Sequence, residues 1–189
     1  MADRAAPLAE LQDRIDAAAF DGTVLETVPF LAQVDLRVDP ARADGVEAAL
    51  GFALPDANRV AESGGRRALW LGPDEWLVIA ADGEERSLVA LLEEALTSGC
   101  AVDLSANRTG LRLAGPAARD VLATCCSLDL HPRVFGPGQC VQTLIQKAGV
   151  LIEARGDDDY LLLVRPSFAA YVAEWLLDGM AGLAADHAA

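Results

Sequence analysis

Short stretches in which apolar and polar residues alternate, or in which apolar runs lie between turn residues, predict β-strands. They fall at residues 30–38, 59–71 (two pieces), 75–80, 101–113 (interrupted at 105–110), 140–145, 149–154 and 160–164. Glycine, proline and aspartate clusters separate them, as in Gly72-Pro73-Asp74 and Gly156-Asp157-Asp158-Asp159. Such clusters favour turns.

Apolar residues that recur every three or four positions predict amphipathic helices over residues 6–20, 43–50, 86–97, 117–126 and 167–177. In the fourth of these, one stripe contains Ala117, Ala118, Val121, Leu122, Cys125 and Cys126. A helix with one apolar stripe packs on a sheet, so this pattern predicts a helical layer against the strands.

The order strand, helix, strand, strand, helix occurs twice along the chain. We therefore predict an α+β fold of duplicated βαββα halves with mostly antiparallel sheets and helices on one face of each sheet. The expected organisation is an N-terminal arm at residues 1–28, a domain at 29–180 with halves 29–99 and 100–180, and a frayed tail at 181–189. The arm either packs on its own domain or docks on another chain.

The charge balance restricts the class of partner. The chain has 189 residues and a net charge of −14, which argues against nucleic acid and anionic membranes, because both need clustered Lys and Arg. No run approaches the roughly 18 apolar residues of a membrane span, and the N-terminus lacks the apolar core of a secretory signal. We expect a cytoplasmic protein.

Motifs for catalysis or metal binding are absent from the sequence. It contains no G-x-S-x-G, phosphate-binding loop or H-E-x-x-H motif. Cys100, Cys125, Cys126 and Cys140 include no C-x-x-C pair, which argues against a zinc site with His131 as fourth ligand. We expect all four cysteines to be reduced and buried.

A polar bend within residues 103–109, which interrupts a predicted strand, is the most distinctive segment of the sequence. Arg108 either pairs with Asp103 and fixes the bend, or faces a carboxylate of a ligand or partner. A second polar segment, the loop 131–138, carries His131 and Phe135. These four residues are our candidates for subunit contact or for a structural role. No catalytic, cofactor-binding or metal-binding residue is predicted.

Several motifs together resemble the gamma subunit family of heterotetrameric sarcosine oxidase, over roughly residues 30–180. The matching segments are residues 69–77 (LWLGPDEWL), 102–105 (VDLS), 111–117 (LRLAGPA), 138–143 (GQCVQT), 165–171 (RPSFAAY) and 175–176 (WL).

The resemblance implies the fold of the folate-binding domain of the aminomethyltransferases. In that superfamily a folate-binding Glu follows an aromatic residue, and the matching position here is Leu161. The segment that carries the catalytic Asp aligns loosely with residues 71–75, where Asp74 and Glu75 remain but the paired glycines do not. The resemblance thus implies that the fold is kept and that the folate site is lost.

The resemblance also implies a function. It suggests a non-catalytic gamma subunit that supports assembly with the alpha, beta and delta subunits, in which the other subunits hold FAD, FMN, NAD and tetrahydrofolate and demethylate sarcosine oxidatively to glycine. The alternatives are a stand-alone folate-dependent C1-transfer or folate-binding protein, and a small acidic adaptor unrelated to sarcosine. Under the first reading, removal of residues 1–28 is expected to weaken assembly more than folding.

Overall fold

The structure, a computed structural model, describes residues 4–187 and the side chains of residues 4–186. The chain divides into two compact units. The terminal unit comprises the described parts of residues 1–29, 108–137 and 142–189, and the central unit comprises residues 30–107 and 138–141.

The secondary structure consists of helices and strands that alternate in two similar series. In chain order the elements are α1 (Gln12–Ala17), β1 (Val24–Val28), β2 (Ala32–Arg37), α2 (Asp44–Leu50), β3 (Val60–Ser63), β4 (Arg66–Gly72), β5 (Glu75–Ala80), α3 (Glu85–Ala95), β6 (Cys100–Asp103), β7 (Thr109–Ala114), α4 (Ala118–Cys125), β8 (Gln139–Ile145), β9 (Ala148–Gly156), β10 (Asp159–Val164) and α5 (Pro166–His187).

The strands form two five-stranded sheets whose orders correspond. The central sheet runs β6-β2-β5-β4-β3, and the terminal sheet runs β1-β7-β10-β9-β8. The recorded strand pairs are antiparallel. This confirms the α+β fold with duplicated halves. Each half contains three strands between its helices, so the repeat is βαβββα and not the predicted βαββα. The strand segments predicted at 59–71 (two pieces) and at 140–145 and 149–154 already include the extra strand, because residues 60–72 and 139–156 each fold into a hairpin.

An exchange of edge strands corrects the predicted boundaries. β1 pairs with β7 in the terminal sheet, with Val24 opposite Ala114 and Val28 opposite Gly110. β6 pairs with β2 in the central sheet. Residues 4–28 of the predicted arm are therefore part of the terminal unit rather than a separate arm, residues 1–3 lie outside the described part of the chain, and the division between halves lies at 107/108 rather than 99/100. Periodicity reveals a strand but not its partner, which is set by distant residues.

Helices α4 and α5 cover one face of the terminal sheet. Leu111, Leu113 and Leu162 on that face are fully buried, as are Val121 of α4 and Val172 of α5. All six residues of the stripe predicted for α4 are buried, which confirms it. In the central unit the core forms between the sheet and helices α2 and α3, around Val34, Val78, Val46, Leu88 and Leu92.

The C-terminal segment differs from the prediction. The sequence predicts a frayed tail from residue 181, but α5 continues to His187. Alanine has the highest helix propensity, and Ala181, Ala184 and Ala185 extend the helix beyond the buried Met180. Residues 188 and 189 lie outside the described part of the chain.

Arg112 ties three strands of the terminal sheet together. Its guanidinium donates to both carboxylate oxygens of Asp159 on β10, at 2.9 and 3.0 Å, and to Glu26 on β1 at 2.7 Å. These hydrogen bonds raise the pKa of Arg112. The ion pairs are partly exposed, and exposed pairs contribute at most about 1 kcal/mol to stability. The bidentate geometry of the Arg112–Asp159 pair favours the upper end of this range of stabilisation.

Replacing Arg112 tests this network. We expect Arg112→Gln to lower the free energy of unfolding by about 1 kcal/mol, because two carboxylates lose a charged donor. Urea titration of the variant against wild type measures the change. Arg155→Gln, at an exposed position of β9, is the matched control. Equal stability losses in the two variants would show that the network contributes nothing specific.

Candidate functional site

Two arginines lie side by side at one end of the terminal sheet. Thr109 of β7 pairs with Val164 of β10, so Arg108 and Arg165 occupy the next positions on these adjacent strands. Both line a cavity of about 390 Å³. That volume lies within the usual range for sites that accept a ligand or a side chain.

The remaining wall of this cavity, called here the arginine cavity, mixes polar and apolar groups. Gln142 and Thr143 contribute polar side chains, and Leu144, Leu151 and Leu163 contribute apolar ones. None of the described residues that line the cavity is acidic. Two guanidinium groups beside aliphatic side chains suit a carboxylate attached to an apolar body.

A second cavity, of about 300 Å³, shares Leu144 with the first and extends along the end of α4. Cys125 and Cys126 line it, and both are buried. Burial raises the pKa of Cys125 to about 11, so its thiol stays protonated and unreactive at neutral pH. Cys140 is buried too, but Cys100 is exposed. The expectation that all four are buried is wrong for Cys100, which begins the edge strand β6.

Asp103 contacts the polar bend itself. Its Oδ1 accepts hydrogen bonds from the amide of Ser105 at 2.9 Å and from the Ser105 hydroxyl at 2.6 Å. Ser105 Oγ in turn accepts from the amide of Gln33 at 3.0 Å, which fixes the bend to β2. Asp103 thus has a structural contact within the central unit, while Arg108 belongs to the terminal unit. The ion pair between Asp103 and Arg108 stays a prediction.

His131 and Phe135 share a loop but have different surroundings. His131 is exposed, and its Nδ1 accepts from the amide of Arg133 at 3.2 Å. Phe135 is 4% exposed and stacks on Tyr160 with ring centroids 6.3 Å apart. Of the two roles considered for Phe135, the burial favours the structural one, because removal of an apolar ring from water is stabilising.

Arg119 of α4 organises this loop, and the sequence analysis missed it. Its guanidinium donates to the carbonyl oxygens of Leu130, Phe135 (3.2 Å) and Asp157 (2.7 Å). It also lies over the ring of Tyr160, 5.5 Å from the centroid. Burial raises the pKa of Tyr160 to about 12, so the phenol remains a hydrogen-bond donor and binds the Asp157 carbonyl at 3.0 Å. In the sequence, Arg119 is recognisable only as a charged residue next to the apolar stripe of α4, and that position does not predict its contacts with the loop.

The positions that match the folate-binding motif do not fit a folate. Leu161 is fully buried in β10, between Arg112 of β7 and Glu153 of β9 in the strand register. An aliphatic side chain offers no hydrogen-bond acceptor to a pterin. Asp157 and Asp158 form the hairpin turn predicted for them. The structure therefore gives no basis for a folate step at this position.

The acids at residues 74 and 75 lie at the turn between β4 and β5, where Arg37 binds them. Its guanidinium is 3.4 Å from Asp74 and 2.9 Å from Glu75. Burial and the nearby carboxylate of Asp35 raise the pKa of Glu75 against the opposing effect of Arg37. The neutral form of Glu75 is therefore favoured by folding.

This shift predicts a pH dependence of stability. A raised pKa means that the contribution of Glu75 is fully present below its unfolded pKa of about 4.3 and is lost as the pH rises through the folded value. We expect Glu75→Gln to lose less stability than wild type between about pH 4.3 and pH 7. Urea unfolding across this range measures it, with Glu94→Gln on α3 as control. Parallel pH profiles for wild type and Glu75→Gln would refute the assignment.

Comparison with known proteins decides the family. The model of the sarcosine oxidase, gamma subunit family matches residues 35–182. The chain belongs to this family. The gamma subunit of sarcosine oxidase from Corynebacterium sp. strain P-1 is 37% identical, covering 97% of this chain and 93% of the relative. The gamma subunit from an Arthrobacter species is 38% identical, covering 94% and 90%.

Solved structures agree with the family and the fold. A chain of heterotetrameric sarcosine oxidase from Corynebacterium sp. U-96, in complex with pyrrole 2-carboxylate, matches with a TM-score of 0.89 and 37% identity over 96% of both chains. Aminomethyltransferase T of the glycine cleavage system from Bartonella henselae matches with a TM-score of 0.60 and 20% identity, covering 90% of this chain and 49% of that one. The second match shows a shared fold alone, as the resemblance implied.

None of the helices in the described part of the chain combines the length and the apolar character that a membrane crossing requires.

Proposed function

We propose that this chain is the non-catalytic gamma subunit of a heterotetrameric sarcosine oxidase, where it supports assembly with the alpha, beta and delta subunits. The observation that carries the proposal is the match to a chain of the heterotetrameric enzyme over 96% of both chains. In this proposal the other subunits hold FAD, FMN, NAD and tetrahydrofolate and oxidise sarcosine to glycine. The cytoplasmic location stays a prediction.

Two features of the chain support a role without catalysis. Leu161 occupies the position of the folate-binding Glu, and Arg37 binds the acids at the position of the catalytic segment. The described cysteine with a large pKa shift, Cys125, is shifted towards the unreactive thiol. Leu161 is thus part of the buried core, and Asp74 and Glu75 pair with an arginine of the same unit.

Omission of the chain from the assembly tests the proposal. The alpha, beta and delta subunits are expressed with and without it, and sarcosine-dependent oxidation is measured after purification. We expect the recovery of the assembled enzyme to fall when the chain is omitted, and the chain alone to oxidise no sarcosine. Full recovery of assembled, active enzyme without the chain would contradict the proposal.

A folate titration separates the proposal from a stand-alone folate-binding protein. We expect tetrahydrofolate at micromolar concentrations to cause no saturable change in the tryptophan fluorescence of the isolated chain, because the side chain of Leu161 cannot accept a hydrogen bond from the pterin. Calorimetry of the same mixture is the second readout. Saturable binding in this range would favour the folate-binding alternative.

A further inference from the structure

The second cavity, called here the thiol cavity, places two adjacent cysteines in one wall at the end of α4. Its lining consists of residues 123–127, Leu144 and Gln146, all of which belong to the terminal unit. Cys125 is 5% exposed and Cys126 is 7% exposed, so the cavity is the route by which a ligand reaches them. Its volume of about 300 Å³ is much larger than one water molecule needs, whereas cysteines that only fill a close-packed core have no such space beside them.

Backbone hydrogen bonds hold the two cysteines in place. The amide of Cys126 donates to the carbonyl of Leu122 at 2.8 Å, and the amide of Gln146 donates to the carbonyl of Cys125 at 2.9 Å. Cys126 also forms an isolated β-bridge with Ile145, the last residue of β8. The backbone that carries the two thiols is therefore fixed to both α4 and β8, which lowers the cost of ordering them around a ligand.

The thiol of Cys125 has only weak contacts. Its Sγ lies 3.6 Å from the carbonyl oxygen of Leu122 and 3.9 Å from that of Val121, and a thiol is a weak donor. Burial raises the pKa of Cys125 to about 11, a contact with Thr124 lowers it, and the charge of Cys126 raises it further. Two thiolates at these positions would thus repel each other, and a cation bound between them would remove this repulsion.

The composition of the wall selects the kind of cation. The partial negative charge at the C-terminal end of α4 favours positive charge in the cavity. Zinc requires four ligands, and the described lining offers no histidine, aspartate or glutamate beside the two cysteines. Thiolates are soft ligands that select Cu(I), and this ion is stable with only two of them.

We propose that Cys125 and Cys126 bind one Cu(I) ion in the thiol cavity as a two-coordinate dithiolate. Each thiol releases its proton, both sulfurs bond to the Cu⁺ ion, and the two thiolates with one monovalent cation leave a formal charge of −1. The missing C-x-x-C pair argues against a four-ligand zinc site, but a two-coordinate site needs no such spacing. This site goes beyond the proposed function and does not depend on assembly with other subunits.

Copper titration of the full chain tests the site. The reduced chain competes anaerobically for Cu(I) with bicinchoninate, and the loss of the coloured copper–chelator complex measures the copper bound. We expect one Cu(I) per wild-type chain, and we expect Cys125→Ser and Cys126→Ser each to weaken binding by at least about tenfold, because one of two thiolate ligands is lost. Cys100→Ser and Cys140→Ser are the matched controls and should bind as wild type does. Binding should strengthen as the pH is raised, because it displaces protons.

A measurement on the wild-type chain covers the case in which a serine variant does not fold. Phenylarsine oxide condenses with two neighbouring thiols and releases its oxygen as water, so it protects close pairs rather than single cysteines. The remaining thiols are alkylated with iodoacetamide in urea, the arsenical is removed with a dithiol, and the released thiols are labelled with N-ethylmaleimide. We expect the second label on Cys125 and Cys126, both in the tryptic peptide 120–133, and the first label on Cys100 and Cys140.

Three results would overturn the inference. The first is copper binding at wild-type strength by folded Cys125→Ser and Cys126→Ser. The second is loss of copper binding in Cys100→Ser, which would assign the ion to the exposed thiol of β6. The third is alkylation of Cys125 and Cys126 by iodoacetamide after treatment with the arsenical, which would show that the two thiols cannot bind one atom together. None of these results would affect the proposed function, which the omission experiment tests separately.

Discussion

A chain that begins at residue 29 will fail to fold its terminal unit. It lacks β1, which pairs with β7 over five residues, and the side chains of Leu8, Ile15 and Leu25, each at most 3% exposed. Burial of three such side chains contributes roughly 5–9 kcal/mol, which is comparable to the whole stability of a domain. The truncated chain also loses the Thr23 hydroxyl, which accepts a hydrogen bond from the amide of Ala117 before α4 at 3.0 Å.

Far-UV circular dichroism and the dispersion of amide proton signals measure this outcome. A chain that begins at Leu8 is the matched control, since it keeps the first buried residue, and we expect it to unfold cooperatively like wild type. This result would reverse the expectation from the sequence that the truncation weakens assembly more than folding. A cooperative transition and native dispersion in the chain that begins at residue 29 would show instead that the segment is a separable arm.

Gly115→Ala will destabilise the chain by about 3 kcal/mol or more. Gly115 has a φ of +115°, and a Cβ there would lie 2.2 Å from the carbonyl oxygen of Gly22 and 2.6 Å from Cα of Thr23. The amide of Gly115 also donates to the carbonyl of Asp158 at 2.9 Å, which restrains its backbone. The substitution therefore combines the strain of positive φ with a clash against backbone atoms.

Gly83→Ala separates these two costs. Gly83 also has positive φ, at +89°, but a Cβ there would meet nothing within 4 Å. We expect Gly83→Ala to cost about 1–2 kcal/mol from backbone strain alone. Urea unfolding of both variants gives the difference, which measures how closely residues 22–23 pack against the turn before α4. Equal losses would mean that the N-terminal segment is free to move away.

Local patterns were enough to predict much of the fold. The stripe of α4 was predicted correctly because a period of 3.6 residues places its members on one side regardless of what they contact. The same holds for the hairpin turn at Asp157 and Asp158, where consecutive carboxylates favour solvent. The duplicated order of elements followed from these local features.

Long-range pairing could not be predicted in the same way. β1 and β6 each join the sheet of the other half, and nothing in their own residues specifies that choice. Arg108 and Arg165 meet because β7 pairs with β10, so the arginine cavity is invisible until the register is known. Arg119 looked like an ordinary helix charge, and its role depends on a loop that folds back onto it.

The stoichiometry of the purified assembly tests the central claim most directly. The chain is tagged, co-expressed with the alpha, beta and delta subunits, and the product is measured by native mass spectrometry. We predict a complex that holds one copy of this chain with one copy of each other subunit and that oxidises sarcosine. Recovery of the chain only as a free monomer, or only as an assembly of its own copies, would contradict the account.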